Sequence, residues 1–261
     1  MKIKYYIGIF VLFIMCTSGA AFAGPYAPAA GVAGSTAIHM DDAGFLSWVT
    51  GYENYLPGTN VDASWQTPEK ALGKAVGDSY DIVCLGRGGS ITLTFSDGIG
   101  NGDGYDFAVF ENSFSNNFLE LGYVEVSSNG TDFFRFDNDS LTASPVAGFG
   151  SVDPTNIDGL AGKYRQGYGT PFDLAELAGI SELLDANSIG WVRIIDIVGD
   201  GSYFDTASNV IYDPYPTVGS AGFDLDAIGV FNAAAPVPIP GAVFLLGSGL
   251  VGLVSLKRKK R

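Results

Sequence analysis

The amino-acid sequence predicts an all-β protein, an antiparallel β-sandwich of jelly-roll type carrying a few short helices. Three observations lead there. Glycine accounts for 36 of 261 residues, roughly twice its usual share, which favours turns. Apolar residues recur with period two in short runs beyond Tyr80. No strand–helix–strand rhythm of the kind that builds a parallel sheet runs through the chain.

Taking the elements in order, residues 1–23 begin with Lys2 and Lys4 and continue through an apolar run from Tyr5 to Met15. They end in Ala21-Phe22-Ala23, the small-x-small pattern that signal peptidase accepts, so the expectation is a leader cleaved between Ala23 and Gly24. Residues 24–40, rich in Ala, Gly and Pro, predict an extended entry segment ahead of a surface domain over 41–232. From Asp41 to Tyr55 the apolar positions Phe45, Trp48, Val49 and Tyr52 fall three and four apart, with Asp41 and Asp42 placed to cap. That spacing predicts one amphipathic helix. Pro68 behind Thr67, followed by Glu69 and Lys70, predicts a second helical turn.

In Ser90–Phe95 the apolar Ile91, Leu93 and Phe95 alternate with Ser90, Thr92 and Thr94, as a half-buried strand requires. Tyr105–Phe110 and Leu119–Ser128 follow as strands. Asn129-Gly130 marks a two-residue turn, and Thr131–Phe136 returns as its partner. Residues 137–188 read as a long excursion from the sheet with one short helix at 173–178. Ile189–Val198 and Phe223–Phe231 supply two more strands dense in β-branched and aromatic residues. Cys84, within Ile82-Val83-Cys84-Leu85, reads as a buried thiol. The other cysteine, Cys16, lies in the leader, so no internal disulfide is expected.

The chain carries 28 acidic against 14 basic side chains and a pI near 4.2. That balance excludes the basic face of a nucleic-acid binder. His39 is the only histidine, which excludes multi-histidine metal and acid–base sites. Lys2, Lys4 and the five basic residues from Lys257 to Arg261 lie in the end segments. Seven cations therefore face all 28 carboxylates between residues 24 and 236, a charge of −21.

From residue 233 the chain runs into VPIPGAVFLLGSGLVGLVSLKRKKR, starting at Val237. Its apolar stretch, 241–256, would span about 24 Å as a helix, and flanking residues with a snorkelling Lys257 extend it toward the roughly 30 Å of a bilayer core. The basic end would stay cytoplasmic. Residues 233–261 thus predict a hydrophobic sorting helix with a basic tail. The V-P-x-P start (Val237, Pro238, Pro240), the Leu245-Leu246-Gly247-Ser248-Gly249-Leu250 run and the basic end resemble the PEP-CTERM sorting signals of Gram-negative bacteria. The Pro-Glu-Pro core is absent, and Phe244 stands where many relatives carry tryptophan. The resemblance implies recognition by an exosortase, removal or exchange of the tail, and delivery to the envelope, cell surface or extracellular polysaccharide matrix. A permanent single-span membrane anchor is the alternative.

The strings LGRGGSITLTF (85–95), GYDFAVFEN (104–112), LGYVEVSSNGTDFFRF (121–136), NIDGLAGKYRQGYGTPFDL (156–174) and GFDLDAIGVFN (222–232) resemble a family of uncharacterised bacterial cell-surface proteins. Members often carry such tails. The resemblance implies a secreted module similar to galactose-binding jelly rolls and implies no activity.

Several residues are candidates for chemistry. Asp97, Asn101, Asp103 and Asp106 place four oxygen donors on a glycine-rich loop, an alternation that suits calcium although EF-hand spacing and its terminal glutamate are missing. The same composition makes an ordinary turn between strands. Calcium, in a structural role, is the one cofactor the sequence points to. Asp196, Asp200 and Asp205 form a weaker acidic loop. Asp224 and Asp226, two apart on a strand, share a face and could join a metal site, form a glycosidase-like pair or face solvent, the favoured reading. Lys163, Tyr164, Arg165 and Tyr168 set two of the seven cations beside two aromatic rings, a combination that suits sugar rings and uronates. The alternative is local ion pairing with the tyrosines packed. Glu111, Glu120 and Glu125 flank strands with nothing in the sequence to mark an acid of raised pKa.

No G-x-S-x-G elbow and no phosphate loop occur. The expectation is therefore a non-enzymatic, exported binding module for envelope or exopolysaccharide glycans, stabilised by Ca²⁺. A self-assembling component of a surface layer or biofilm is the alternative, and a polysaccharide-acting hydrolase a third reading.

Overall fold

The computed structural model describes residues 23–235. Readings that rest on residues 1–22, on Val237, Pro238 and Pro240 or on the apolar stretch 241–256 lie outside them. No helix among the described residues is long and apolar enough to cross a membrane.

The chain is all-β, with strands β1 (Ile38–His39), β2 (Ser47–Trp48), β3 (Gly51–Leu56), β4 (Val83–Cys84), β5 (Ser90–Ile99), β6 (Phe107–Glu111) and β7 (Gly122–Ser127). There follow β8 (Phe134–Arg135), β9 (Asp139–Ser140), β10 (Ile157–Asp158), β11 (Tyr168–Phe172), β12 (Ile189–Asp196) and β13 (Asp224–Val230). The helices among the described residues are short 3₁₀ turns at Ala63–Trp65, Pro68–Ala71, Pro154–Asn156 and Leu174–Leu177. One sheet runs β1–β11–β6–β13–β2, with β4 also pairing β13. A second runs β3–β5–β12–β7–β8, and β9 with β10 makes a small separate ladder. Every pairing between these strands is antiparallel.

One core joins the two larger sheets. Ile91 and Leu93 of β5, Val124 and Val126 of β7 and Val192 and Ile194 of β12 meet Phe107 and Val109 of β6, Phe172 of β11 and Leu225, Ile228 and Val230 of β13. The period-two reading of Ser90–Phe95 holds: Ile91 and Leu93 are fully buried and Phe95 packs against the same core. The turn after Thr67 forms with Pro68 at its first position, where a missing N–H costs nothing. Asp173 caps the predicted turn by accepting a hydrogen bond from the Ala175 N–H.

Three sequence expectations need correction. Residues 41–55 form no helix. Val49 N–H donates to the Ile228 carbonyl in the first sheet, and the next residue, Thr50, donates to the Thr94 carbonyl in the second. The segment crosses between sheets, so Phe45 and Trp48 pack with Phe110 and Ala227 while Val49 enters the main core. Helix-like spacing arises here from a change of sheet. The hairpin at Asn129-Gly130 forms, but Val126 pairs with Phe134, which leaves a longer loop than two residues. Asn129 Oδ1 closes it by accepting from the Thr131 and Asp132 N–H groups at 2.9 Å each, an Asx turn in place of a two-residue turn. Finally, the 137–188 excursion contains β11, a strand between β1 and β6 within the first sheet.

Candidate functional site

Four strand ends meet at one end of the two sheets: β6 finishes at Glu111, β13 starts at Asp224, β12 finishes at Asp196 and β7 starts at Gly122. Their register places Leu225 opposite Glu111, Asp224 opposite Cys84 and Asp196 opposite Gly122. Because Glu120 stands between the fully buried Leu119 and Leu121, its carboxyl is carried inward with them. Asp213 joins from the loop after β12, accepting the Leu121 N–H at 2.9 Å.

The result is a buried group of five carboxyls, Glu111, Glu120, Asp196, Asp213 and Asp224, each under 9% exposed. None is in an ion pair among the described residues. Burial lifts Glu111, Glu120 and Asp213 well above the usual carboxylate range, and the neighbouring carboxyls push the same way. Burial raises Asp196 to about 7 against the opposing pull of two backbone N–H groups and Arg87. Asp224 is raised too, although the Cys84 thiol donates to its Oδ1. Desolvation wins over hydrogen bonding throughout, because none of the five is in an ion pair among the described residues and Arg87 acts only as the smallest influence on Asp196.

Two of the five open onto a cavity of about 160 Å³. Glu120 and Asp224 line it with Asn112, Thr217 and the rings of Phe114, Phe118 and Phe149. Those rings form a near-parallel row: Phe114 and Phe118 are 4.7 Å apart at 21°, Phe118 and Phe149 5.9 Å apart at 22°. Phe149 is 85% exposed and Phe114 62%, so the row makes the rim while the carboxyls form the floor. Glu120 Oε1 accepts from the Thr217 hydroxyl at 3.0 Å and the Gly222 N–H at 3.2 Å. Gly222 has φ +77°, and a Cβ there would collide with the Asp196 carboxyl, so glycine is required at this contact. The recess thus sets phenylalanine rings and Val218 on one part of its lining against six polar residues, Ser79, Asn112, Glu120, Thr217, Ser220 and Asp224, and converging polar groups of perturbed acidity in a cleft mark a candidate small-ligand site.

The residues singled out from sequence fall elsewhere. Asp97 and Asp103 are exposed, and Asp97 lines a separate open groove of about 760 Å³ beside Trp191 and Ala233–Ala235. Asn101 Oδ1 is buried without a partner. Asp106 is fully buried, accepting from the Gly102 and Leu174 N–H groups and from Asn232 Nδ2 at 2.7–2.9 Å. It ties the loop to two other segments. Among the described residues no three His, Cys, Asp or Glu side chains assemble as a metal-binding group. In the second acidic loop Asp200 is exposed while Asp196 and Asp205 are buried with separate partners.

Asp224 and Asp226 do not face solvent, contrary to the favoured sequence reading; both are buried. Between Leu225 and Ala227 the register shifts by one, so Asp226 is the extra residue of a bulge and is re-aimed. It accepts from the Val76 and Gly77 N–H groups at 3.0 and 2.8 Å, and burial raises it to about 6.

Lys163, Tyr164, Arg165 and Tyr168 do not form one open surface. Lys163 and Tyr164 are buried, the latter hydrogen-bonded to Thr36 at 2.7 Å, while Arg165 lies 4.7 Å over the Tyr168 ring. Of the predicted processing residues, Ala23 is exposed and the Gly24 N–H donates to Thr155 Oγ1 at 2.6 Å.

Sequence reading missed the Phe114–Phe118–Phe149 rim and the depth of Glu111 and Glu120. The signal was present in FAVFEN and NNFLELGYVEV, where acids interrupt otherwise apolar runs. Comparison of the chain with protein-family models, with curated proteins and with solved structures finds no match.

Proposed function

We propose that this chain is an exported cell-surface or extracellular-matrix module that binds glycan, without catalysis, in the Glu120–Asp224 pocket. The carrying observation is the pairing of a phenylalanine rim with buried, incompletely bonded carboxyls in a recess of ring size. Aromatic walls stack on sugar rings and the floor supplies hydrogen bonds. In this reading the two sheets form a β-sandwich of jelly-roll type, with their facing side chains in one core. Signal peptidase acts at Ala23-Gly24 and an exosortase acts on the tail beginning at Val237, with the apolar helix as the membrane stage between them. Asp97, Asn101 and Asp103 remain the place for a structural Ca²⁺, Asp106 being committed to the Gly102 and Leu174 N–H groups and the Asn232 amide.

The test is retention of the full chain on envelope and exopolysaccharide fractions. Phe114→Ala and Phe149→Ala, both at exposed positions, should each cut retention at least fivefold while leaving the melting temperature unchanged. Unaltered retention would remove the pocket from the proposal. Two carboxyls in one recess also support a hydrolase reading; turnover of a chromogenic glycoside, lost in Asp224→Asn, would replace binding by catalysis.

A further inference from the structure

We infer that the Glu120–Asp224 pocket takes a ligand presenting a protonated amine, of the class of a partly de-N-acetylated amino sugar. The inference rests on the glycan reading above and names which glycan chemistry the pocket selects.

Size comes first. A cavity of about 160 Å³ matches the roughly 150 Å³ that admits one six-membered ring. Next, each floor carboxyl has one oxygen held and one free. Glu120 Oε1 and Asp224 Oδ1 are engaged by Thr217, Gly222 and Cys84, whereas Glu120 Oε2 and Asp224 Oδ2 have no hydrogen-bond partner among the described residues. Both residues are more than nine-tenths buried and both line the cavity. Once a floor carboxyl has given up its proton its free oxygen becomes an acceptor that calls for a donor, and an ammonium group offers three donors and no acceptor.

Charge decides among sugars. Facing the two floor carboxyls are Cys84 on β4, Glu111 at the end of β6, Asp196 at the end of β12 and Asp213 from the following loop. Arg87 is the nearby cation; it bonds the Thr217 carbonyl and stacks 4.9 Å from the Tyr215 ring, outside the cavity lining. A uronate would bring another anion to this group. An ammonium supplies the missing positive charge at the floor, and the exposed Phe114 and Phe149 at the rim are left to pack against the sugar ring. Because burial keeps protons on the floor carboxyls of the empty pocket, amine entry should expel one: the carboxylic acid becomes a carboxylate paired with the ammonium, and its proton passes to solvent.

The experiment titrates the full chain, in mild detergent, with glucosamine trimer, N-acetylglucosamine trimer and galacturonic acid trimer at neutral pH. Calorimetry is run in two buffers of different ionisation enthalpy. Glucosamine trimer should bind at least tenfold more tightly than the other two, with proton release seen as a buffer-dependent heat. Both Asp224→Asn and Glu120→Gln should erase that preference, and Phe149→Ala should weaken binding of glucosamine trimer. Equal or tighter binding of either comparison trimer overturns the amine inference and leaves glycan binding standing. A preference that survives all three substitutions also overturns it, since attraction to the overall negative charge would then explain it. Binding of none of the trimers, together with loss of matrix retention, sinks both readings.

Discussion

Glu120 shows how a single residue acquires an acidity that its sequence neighbourhood only hints at. Leu119 and Leu121 are fully buried, and they hold the acid between them at the floor of the phenylalanine-rimmed recess, away from bulk water. The carboxyl therefore stays in, keeps its proton and uses Oε1 as an acceptor. A group whose folded pKa lies above its unfolded value contributes stability below the unfolded pKa, and this is lost as pH rises through the folded one. Glu120→Gln preserves the acceptor and removes the titration. Its melting temperature should fall less between pH 5 and pH 8 than that of the parent chain, and an identical fall in thermal scans at the two pH values would contradict this account. Cys84 was readable from its apolar flanks, and it is fully buried. Lys163 and Tyr164 were readable only as two alternatives, open or packed, because nothing local tells a surface Lys-Tyr pair from one closed over by Tyr26 and Thr36, more than a hundred residues away.

At the scale of elements, period two proved a sound guide to strands and spacing of three and four a poor guide to helix. Residues 90–95, 122–127, 189–196 and 224–230 lie in strands inside the predicted ranges, since each keeps one face on the core. The segment from Phe45 to Tyr52 crosses once from the first sheet to the second, and no local pattern distinguishes that from a helix seen by one partner. β11 was hidden for another reason. Its sequence, YGTPF, contains glycine and proline, which normally argue against a strand inside a sheet. Gly169 is nonetheless needed there, because a Cβ would press on the Phe110 ring at 2.9 Å. Phe172 closes the strand by stacking on Phe107 at 5.3 Å and meeting Phe136 at 5.0 Å. Phe172→Ala should therefore cost about 3–5 kcal/mol, measured by denaturant unfolding. A loss below about 1 kcal/mol would mean that β11 is peripheral to the core.

For the whole molecule, the buried acids and the net charge act in the same direction. Asp226 near 6, Asp196 near 7 and the raised Glu111, Glu120, Asp213 and Asp224 all bind protons more tightly folded than unfolded. Their contribution is complete below about pH 4; that of Asp226, Asp196 and Asp224 is lost as pH climbs through 6 and 7, and the other three add to the loss as pH rises. The lowered Asp41, Asp78, Asp200 and Asp205 oppose it; the first three are exposed and solvent screens them, which leaves the buried Asp205 as one opposing group against six raised acids. Repulsion within a domain charged at −21 grows over the same range. The melting temperature should therefore be highest on the acid side, near pH 4–5, and decline toward pH 8; scanning calorimetry across that range with a maximum above pH 7 would refute it. The strand order carries a separate consequence for how copies can meet. Edge positions in both large sheets go to β1, β2, β4 and β8, each of two residues, and to β3, whose pairing with β5 is broken by a register shift. The long ladders β5, β12, β7 and β13 all lie inside. Where copies crowd together, the described strands thus offer little extended backbone rail on which to zip together, and a lattice built on them must join side chain to side chain.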